Sequence, residues 1–265
     1  MTKPNSKAVA KVMAITSGKG GVGKTFLSSN LAAAIAKRGH RVLVMDADLG
    51  LANLDVVLNL YPKLTLHDVF MGKAQLQECI IKTPGGFDVL LAGSGLVEYS
   101  RLTSGVRDDF LRIMESLHPL YDVILLDTGA GISDVVLFAV SLASEVLLVA
   151  TPEPTSLTDA YATIKVLTSQ QKRQQIRMII NQTARLGDGR AITVQLQQVL
   201  DRFVSKAQGV NIKLVHTGDI PSDPSVKMAI MRRQLLMLNT PGCPAALAIS
   251  QLALKLDEAV ISRSA

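Results

Sequence analysis

Short, continuously apolar runs alternate with longer helical stretches along most of this chain. A strand that is apolar at consecutive positions is buried on both faces, which is typical of parallel strands covered by helices. The pattern therefore predicts an α/β fold: a single doubly wound, mostly parallel sheet with helices on both faces. The expected strands are residues 12–16, 41–46, 87–92, 122–127, 145–150, 176–181 and 212–217.

The length and composition of the chain limit its domain organisation and its possible ligands. We expect residues 1–8 to form a short leader and residues 9–265 to form one domain that includes a C-terminal helix at 245–261. The net charge of +6 is compatible with an anionic nucleotide, DNA or lipid as ligand. The sequence has no signal peptide and no apolar run long enough to span a membrane, so we expect a cytoplasmic protein whose membrane contact, if any, is peripheral.

A glycine-rich loop follows the first expected strand, and the helix after it is expected to end near residue 38, with Gly39 as its stop. The loop matches the pattern G-x-x-x-x-G-K-[ST] in the required strand–loop–helix context. Its glycines allow the backbone to wrap around phosphates, while Lys24 reaches the β- and γ-phosphates and Thr25 ligates Mg²⁺. The expected nucleotide-binding residues of this segment are Gly18, Lys19, Gly20, Gly21, Val22, Gly23, Lys24, Thr25 and Phe26.

Two further expected strands end in carboxylates at the same edge of the sheet. Negative charge beside bound phosphates is unfavourable unless a cation or a proton transfer uses it. A water held by Asp48 could attack the γ-phosphate in line, and Asp46 could support the Mg²⁺ shell or the loop. Asp127 closes an apolar strand, as a carboxylate that reaches Mg²⁺ directly or through water must do.

Together these motifs resemble those of the MinD/ParA family of P-loop ATPases. K-G-G-V-G-K-T at 19–25 is similar to the deviant Walker A motif of that family, residues 46–55 to its switch I, and residues 127–131 to its switch II. In the family, the early lysine crosses the dimer interface to the partner's nucleotide, and the second switch I aspartate positions the attacking water. The resemblance therefore implies catalytic roles for Lys19 and Asp48 in an ATP-dependent homodimer.

The same resemblance implies ATP and Mg²⁺ as cofactors and slow hydrolysis that dimerisation activates. Family members place an asparagine that hydrogen-bonds adenine at the end of a late strand, and Asn181 matches it here. Their late I-P loop lines the base and includes Pro221 in this sequence. An asparagine at a strand end is otherwise a common turn former. The implied metal ligands are Thr25, Asp48 and Asp127.

The stretch E-P-T-S-L-T-D-A-Y at 153–161 is similar to the FlhG/FleN proteins, which limit the number and placement of flagella. This likeness extends over roughly residues 9–260 and implies a spatial switch, with a signal-recognition-type GTPase or a flagellar regulator as partner. Many FlhG proteins begin with a Gln-containing segment that stimulates such a GTPase, and residues 1–8 show no such segment.

Many FlhG proteins also end in an amphipathic membrane-targeting helix. The expected helix at 245–261 has few cations, whereas surface-binding helices are rich in Lys and Arg. This favours a helix that packs on the core, with membrane contact weak or absent and peripheral binding to the inner membrane face as the alternative. The residues on its expected apolar face are Leu247, Ile249, Leu252, Leu256 and Val260.

Three alternatives stay open. Min-type division-site ATPases and ParA-type partitioning ATPases have the same chemistry and a different cargo. An iron–sulfur carrier of the same fold needs clustered cysteines, whereas Cys79 and Cys243 are far apart. For the DNA-binding alternative, a solvated charged face is favoured over a DNA surface. The candidate basic patch comprises Lys172, Arg173, Arg177, Arg232 and Arg233.

Overall fold

An eight-stranded sheet organises the part of the chain that the computed structural model describes, residues 9–48, 53–93, 102–185, 187–205, 209 and 211–262. The strand order is β3-β4-β2-β5-β1-β6-β7-β8, and within the described residues every pairing except that of β3 with β4 is parallel. This confirms the predicted doubly wound sheet. The strands are β1 (Lys11–Ser17), β2 (Val42–Ala47), β3 (Ile80–Lys82), β4 (Asp88–Leu90), β5 (Val123–Ala130), β6 (Glu145–Ala150), β7 (Gln175–Thr183) and β8 (Lys213–Pro221).

Helices cover both faces, as the unbroken apolar runs require. Along β1, Val12 and Ala14 belong to the core layer beneath α4 to α7, whereas Met13 and Ile15 belong to the layer beneath α1 and α10. The helices are α1 (Lys24–Ala36), α2 (Leu54–Leu58), α3 (Leu66–Phe70), α4 (Ser104–Leu117), α5 (Asp134–Leu142), α6 (Pro154–Gln171), α7 (Asp188–Leu200), α8 (Pro224–Met231), α9 (Leu236–Asn239) and α10 (Pro244–Leu256).

The edge strand β3 was absent from the sequence prediction. It has only three residues and pairs antiparallel with β4. So short a run lacks the length that distinguishes a strand from a loop, and its pairing depends on the position of β4 rather than on its own sequence. The strand expected at 87–92 is likewise shorter, because only Asp88–Leu90 pairs with its neighbours.

The C-terminal helix packs on the core. Leu252 and Leu256 of α10 are 1% and 0% exposed, and a Cβ added at Gly218 of β8 would lie 3.3 Å from Leu252 Cδ1. Leu247 was wrongly placed on the buried face: it is 51% exposed, because it lies about 200° around the helix from the buried Ile249. The π-helical turn Asp257–Ile261 continues α10, and the Asp257 carboxylate accepts hydrogen bonds from Arg38 and His40 near the end of α1.

None of the described helices has the length and apolar character needed to cross a membrane.

The strand order brings three loops together at one edge. β1 lies between β5 and β6, and β2 lies beside β5, so the chain leaves β1, β2 and β5 at the same carboxyl edge of the sheet. Asp46 and Asp127 are register partners on β2 and β5. Ligands of open α/β sheets bind at this edge, which is where the sequence motifs lie.

Candidate active site

The phosphate loop connects β1 to α1 and is shaped by close contacts at two glycines. Gly23 is the residue before α1 and has φ 93°, a left-handed conformation that favours glycine. A Cβ at Gly23 would also lie 2.5 Å from Asn181 Nδ2. At Gly18 a Cβ would lie 2.3 Å from the Asp159 carbonyl carbon and oxygen, so packing of the loop against α6 excludes any side chain there.

Lys24 is 9% exposed, and its ammonium donates a 2.9 Å hydrogen bond to Ser17 Oγ at the end of β1. Burial lowers the pKa of Lys24, while the nearby Asp127 and Asp48 carboxylates raise it. The cation is therefore held at the N-terminal end of α1, where backbone N–H groups also favour an anion. This arrangement suits a phosphate group.

Asp127 is 4% exposed and lies beneath the first turn of α1. Ser28 Oγ donates to its Oδ1 at 2.8 Å, and Thr25 donates a second side-chain hydrogen bond. Burial raises the pKa of Asp127 to about 6, and the bonds from Ser28 and Thr25 and the charge of Lys24 hold it from rising further. A buried carboxylate beside a hydroxyl is a donor set that suits Mg²⁺.

Asp46 and Asp48 stand at the end of β2. Asp46 Oδ1 accepts a 3.0 Å hydrogen bond from the Asp48 amide, and its buried Oδ2 has no hydrogen-bond partner among the described residues. Burial, reinforced by the neighbouring Asp127, raises the pKa of Asp46 well above its ordinary value. The Asp48 carboxylate lies against switch II, since a Cβ at Gly129 would be 3.2 Å from its Oδ2. Carboxylate oxygens are ligands that Mg²⁺ prefers, so this cluster of carboxylates fits a divalent cation.

These groups surround one cleft of about 850 Å³. It is bounded by the phosphate loop, the end of β2 and the segment from the end of β5 to the start of α5. Residues 49–52 of the switch I motif lie outside the described part of the chain. The predicted site residues that line the cleft are Gly20, Gly21, Gly23, Lys24, Thr25, Phe26, Asp48 and Asp127, whereas Gly18, Lys19, Val22, Asn181 and Pro221 do not line it.

Lys19 points away from the cleft of its own chain. Its ammonium lies 2.9 Å from Glu153 Oε2 and donates to Thr155 Oγ1 at 3.0 Å, both at the start of α6. Its side chain is 39% exposed and that of Glu153 is 62% exposed. The second lysine of the loop is therefore available at the surface, held by groups that belong to the E-P-T-S stretch.

Asn181, the residue expected to contact adenine, is hydrogen-bonded to the phosphate loop. Its Nδ2 donates to the Val22 carbonyl at 2.7 Å, and its Oδ1 accepts from the Gln182 amide at 2.9 Å. Pro221 ends β8, opposite Thr183 of β7. The adenine contacts expected of Asn181 and Pro221 stay predictions, although both stand at the correct edge of the sheet.

The sequence prediction assigned no role in the nucleotide site to Ser17, Ser28, Glu153 or Thr155, which position Lys24, Asp127 and Lys19. Helical spacing offered one signal: Ser28 lies four residues after Lys24, one turn along α1, so it shares the face of the helix that begins at the phosphate loop.

The proposed basic patch does not assemble. Arg177 is buried and pairs with Glu145 at 2.9 Å, and Arg173 donates to the carbonyls of Val140 and Ala143. Lys172 follows α6, which packs on one face of the sheet, whereas Arg232 and Arg233 follow α8, whose Ala229 packs in the layer on the other face. These five cations therefore do not form a single DNA-binding surface.

The two cysteines are also engaged locally. Cys79 is buried and donates to the Thr65 carbonyl, and Cys243 Sγ accepts from the Ala246 amide at the start of α10. Their separate elements offer no paired thiols for an iron–sulfur cluster.

Several known proteins resemble this chain in sequence and in fold. A family model described as an AAA domain matches residues 10–180. The antiactivator FleN of Pseudomonas aeruginosa is 39% identical over 97% of this chain and 90% of its own length. The flagellum site-determining protein YlxH of Helicobacter pylori is 34% identical over 94% of this chain and 82% of its own length.

The septum site-determining protein MinD of Pyrococcus horikoshii OT3, solved as a complex with Mg-ADP, superposes with a TM-score of 0.77 at 26% identity, covering 97% of this chain and 99% of that one. The cleft, the matched motifs and these relatives agree with one another. The chain therefore belongs to the MinD/ParA family of P-loop ATPases, and it binds ATP with Mg²⁺ and hydrolyses ATP.

Proposed function

We propose that this chain is an ATP-dependent, dimerising spatial switch that controls the number or placement of flagella. The observation that carries the proposal is its similarity, along nearly its whole length, to the antiactivator FleN and to the flagellum site-determining protein of H. pylori. The E-P-T-S stretch, whose Glu153 and Thr155 hold Lys19, supports it from the structure.

The residues of the cleft divide the chemistry among them. Lys24 and the amides at the start of α1 hold the phosphates, and Asp48 orients a water in line with the γ-phosphate. Thr25 and Asp127 would hold Mg²⁺, and Ser28 fixes the Asp127 carboxylate. When bound, Mg²⁺ neutralises charge that develops on the β- and γ-phosphate oxygens. The rate contribution of Asp48 is expected to be about 10²- to 10⁴-fold.

The placement of Lys19 supports the dimer. Because its ammonium lies at the surface beside α6, it does not line the cleft of its own chain. A second protomer facing the cleft could therefore receive this cation at its phosphates, in the manner of an arginine finger. Hydrolysis would then require the dimer, so the rate of ATP hydrolysis would set the lifetime of the dimer.

The remaining partners rest on the family resemblance. We propose a signal-recognition-type GTPase or a flagellar regulator as the partner, and a cytoplasmic location with peripheral binding to the inner membrane face. Division-site selection and DNA partitioning use the same ATPase chemistry, so the cellular readout must separate the three roles.

The test is a deletion in the encoding organism, complemented with the wild type or with Asp48→Ala. We expect the deletion to change the number of flagella per cell in electron micrographs. We also expect the Asp48→Ala variant, held in the ATP state, to impose the opposite defect dominantly. Cell length and plasmid retention serve as parallel readouts. An altered cell length or plasmid loss with normal flagella would replace this proposal by a Min-type or a ParA-type role.

A further inference from the structure

A basic and apolar surface at α8 takes no part in the nucleotide site. We call Lys227, Met228, Ile230, Met231, Arg232 and Arg233 the α8 surface. Within this stretch Met231 is 71% exposed, Ile230 49% and Met228 47%, whereas Ala229 is 6% exposed and attaches α8 to the core. Three large apolar side chains in four consecutive positions thus face solvent.

The backbone holds these side chains in place. The amides of Arg232, Arg233 and Gln234 donate 3.0 Å hydrogen bonds to carbonyls of α8, and Arg233 adopts a left-handed conformation with φ 52° that ends the helix. At the other end, the Asp223 carboxylate accepts from the amides of Ser225 and Ala245, which joins the starts of α8 and α10. The α8 surface is therefore a fixed feature of the fold.

All charged side chains of the α8 surface are basic. The sequence contains no Asp or Glu from Pro224 to Leu256. Lys227, Arg232 and Arg233 have no ion-pair partner among the described residues, whereas Arg38, Arg41 and Arg177 each pair with a carboxylate of the chain. These cations border the exposed apolar side chains on both sides of the same short segment.

We propose that the α8 surface docks on an anionic lipid bilayer. Bulky apolar side chains bordered by Lys and Arg are the composition that binds the bilayer interface, where the apolar groups enter the acyl boundary and the cations meet lipid phosphates. A nucleic-acid surface would use the cations but would leave three apolar side chains without a partner, because its recognition is dominated by phosphate contacts. This site differs from the C-terminal helix, whose apolar face is buried in the core.

The first test is flotation of the full chain with vesicles of phosphatidylglycerol and phosphatidylcholine, or of phosphatidylcholine alone, at low and high salt. We expect flotation only with the anionic vesicles, and weaker flotation at high salt. Each cation near an anionic surface raises partitioning roughly fivefold, so the double variant Arg232→Gln/Arg233→Gln is expected to lower it on the order of 30-fold. Val194→Gln is the matched control, because Val194 is 51% exposed on α7, in the opposite helical layer.

The second test uses the absence of tryptophan from the sequence. Met231→Trp places a single fluorophore on the α8 surface, and Val194→Trp places one on the opposite layer. We expect a blue shift of emission for Met231→Trp on addition of the anionic vesicles, and no shift for Val194→Trp.

Two results would overturn the proposal. Flotation that the double arginine variant leaves unchanged would place the lipid contact elsewhere, on the C-terminal helix for example. An unshifted emission of Met231→Trp, with flotation that still depends on the arginines, would identify a purely electrostatic surface suited to an acidic protein or a nucleic acid.

Discussion

The ammonium of Lys19 lies 2.9 Å from the Glu153 carboxylate of the same chain, and both side chains are partly exposed to solvent. In the proposed dimer Lys19 would have to leave this carboxylate to reach the partner's phosphates. The intramolecular pair therefore competes with assembly, although an exposed ion pair is a weak competitor.

We expect Glu153→Gln to strengthen ATP-dependent dimerisation by no more than about fivefold, since exposed ion pairs contribute roughly 0.2–1 kcal/mol. Light scattering over a concentration series, with Asp48→Ala as background to prevent hydrolysis, measures the change. Glu115→Gln removes the same charge from an exposed site on α4 and serves as control. Weaker dimerisation of Glu153→Gln would mean that Glu153 acts within the dimer instead.

Lys24→Ala should abolish ATP binding, because the buried ammonium that is fixed by Ser17 is the principal charge partner of the phosphates. Isothermal titration calorimetry measures the loss. Lys19→Ala is the matched control: it should keep ATP binding and lose dimer formation. Wild-type affinity in Lys24→Ala would show that the loop assignment is wrong.

Asp48→Ala should lower the hydrolysis rate about 10²- to 10⁴-fold while leaving ATP binding intact, because the phosphate cradle does not depend on Asp48. Single-turnover phosphate release measures the rate. Asp55→Asn, at the start of α2, is the control and should hydrolyse ATP normally. Normal turnover in Asp48→Ala would transfer the role to Asp46 or Asp127.

Asp127 should destabilise the metal-free protein above pH 6. Its pKa is about 6 in the folded chain against an ordinary value of 3.8, so the folded state retains the proton to higher pH than the unfolded state does. The penalty is therefore absent below pH 3.8, grows through this window and is complete above pH 6. At about 1.4 kcal/mol per pKa unit, it reaches ~3 kcal/mol at most.

Asp127→Asn should accordingly be more stable than the wild type at pH 7.5 in EDTA, lose that advantage near pH 4, and gain less stability than the wild type from Mg²⁺ with nucleotide. Urea denaturation at both pH values measures the difference. Asp122→Asn provides the opposite sign, because the Arg41 guanidinium lowers the pKa of Asp122 and its stabilisation is lost as pH falls. Equal stability of Asp127→Asn and the wild type at pH 7.5 would contradict the conclusion that the buried, ionised carboxylate of Asp127 destabilises the metal-free protein.

Two leucines of α10 offer a matched pair for the C-terminal helix. Leu252→Ala should destabilise the chain by about 2–5 kcal/mol, because Leu252 is 1% exposed and packs against β8. Leu247→Ala should change stability by less than about 0.5 kcal/mol, because Leu247 is 51% exposed. Thermal unfolding measures both, and equal effects would show that α10 does not pack as described.

The sequence by itself determined the central strands and the phosphate loop. Each of β1, β2, β5 and β6 contains an unbroken apolar run of consecutive residues, which predicts burial on both faces, whereas β7 and β8 are interrupted by polar residues such as Arg177 and His216. The loop follows from spacing within nine residues, because backbone wrapping, the lysine and the hydroxyl all act locally. Asp48 and Asp127 could be selected because each follows such a run at the same edge of the sheet.

Only the tertiary structure decided which of these local features meet. Ser28 reaches Asp127 across 99 positions and Lys19 reaches Glu153 across 134, contacts that depend on the order of the strands. The fold also buries Leu252 while leaving Leu247 exposed. Arg177 forms an ion pair with Glu145, whereas Arg232 and Arg233 have no ion-pair partner among the described residues. A local pattern specifies the conformation of its own segment, whereas partners and pKa values depend on neighbours that the fold brings from distant parts of the chain.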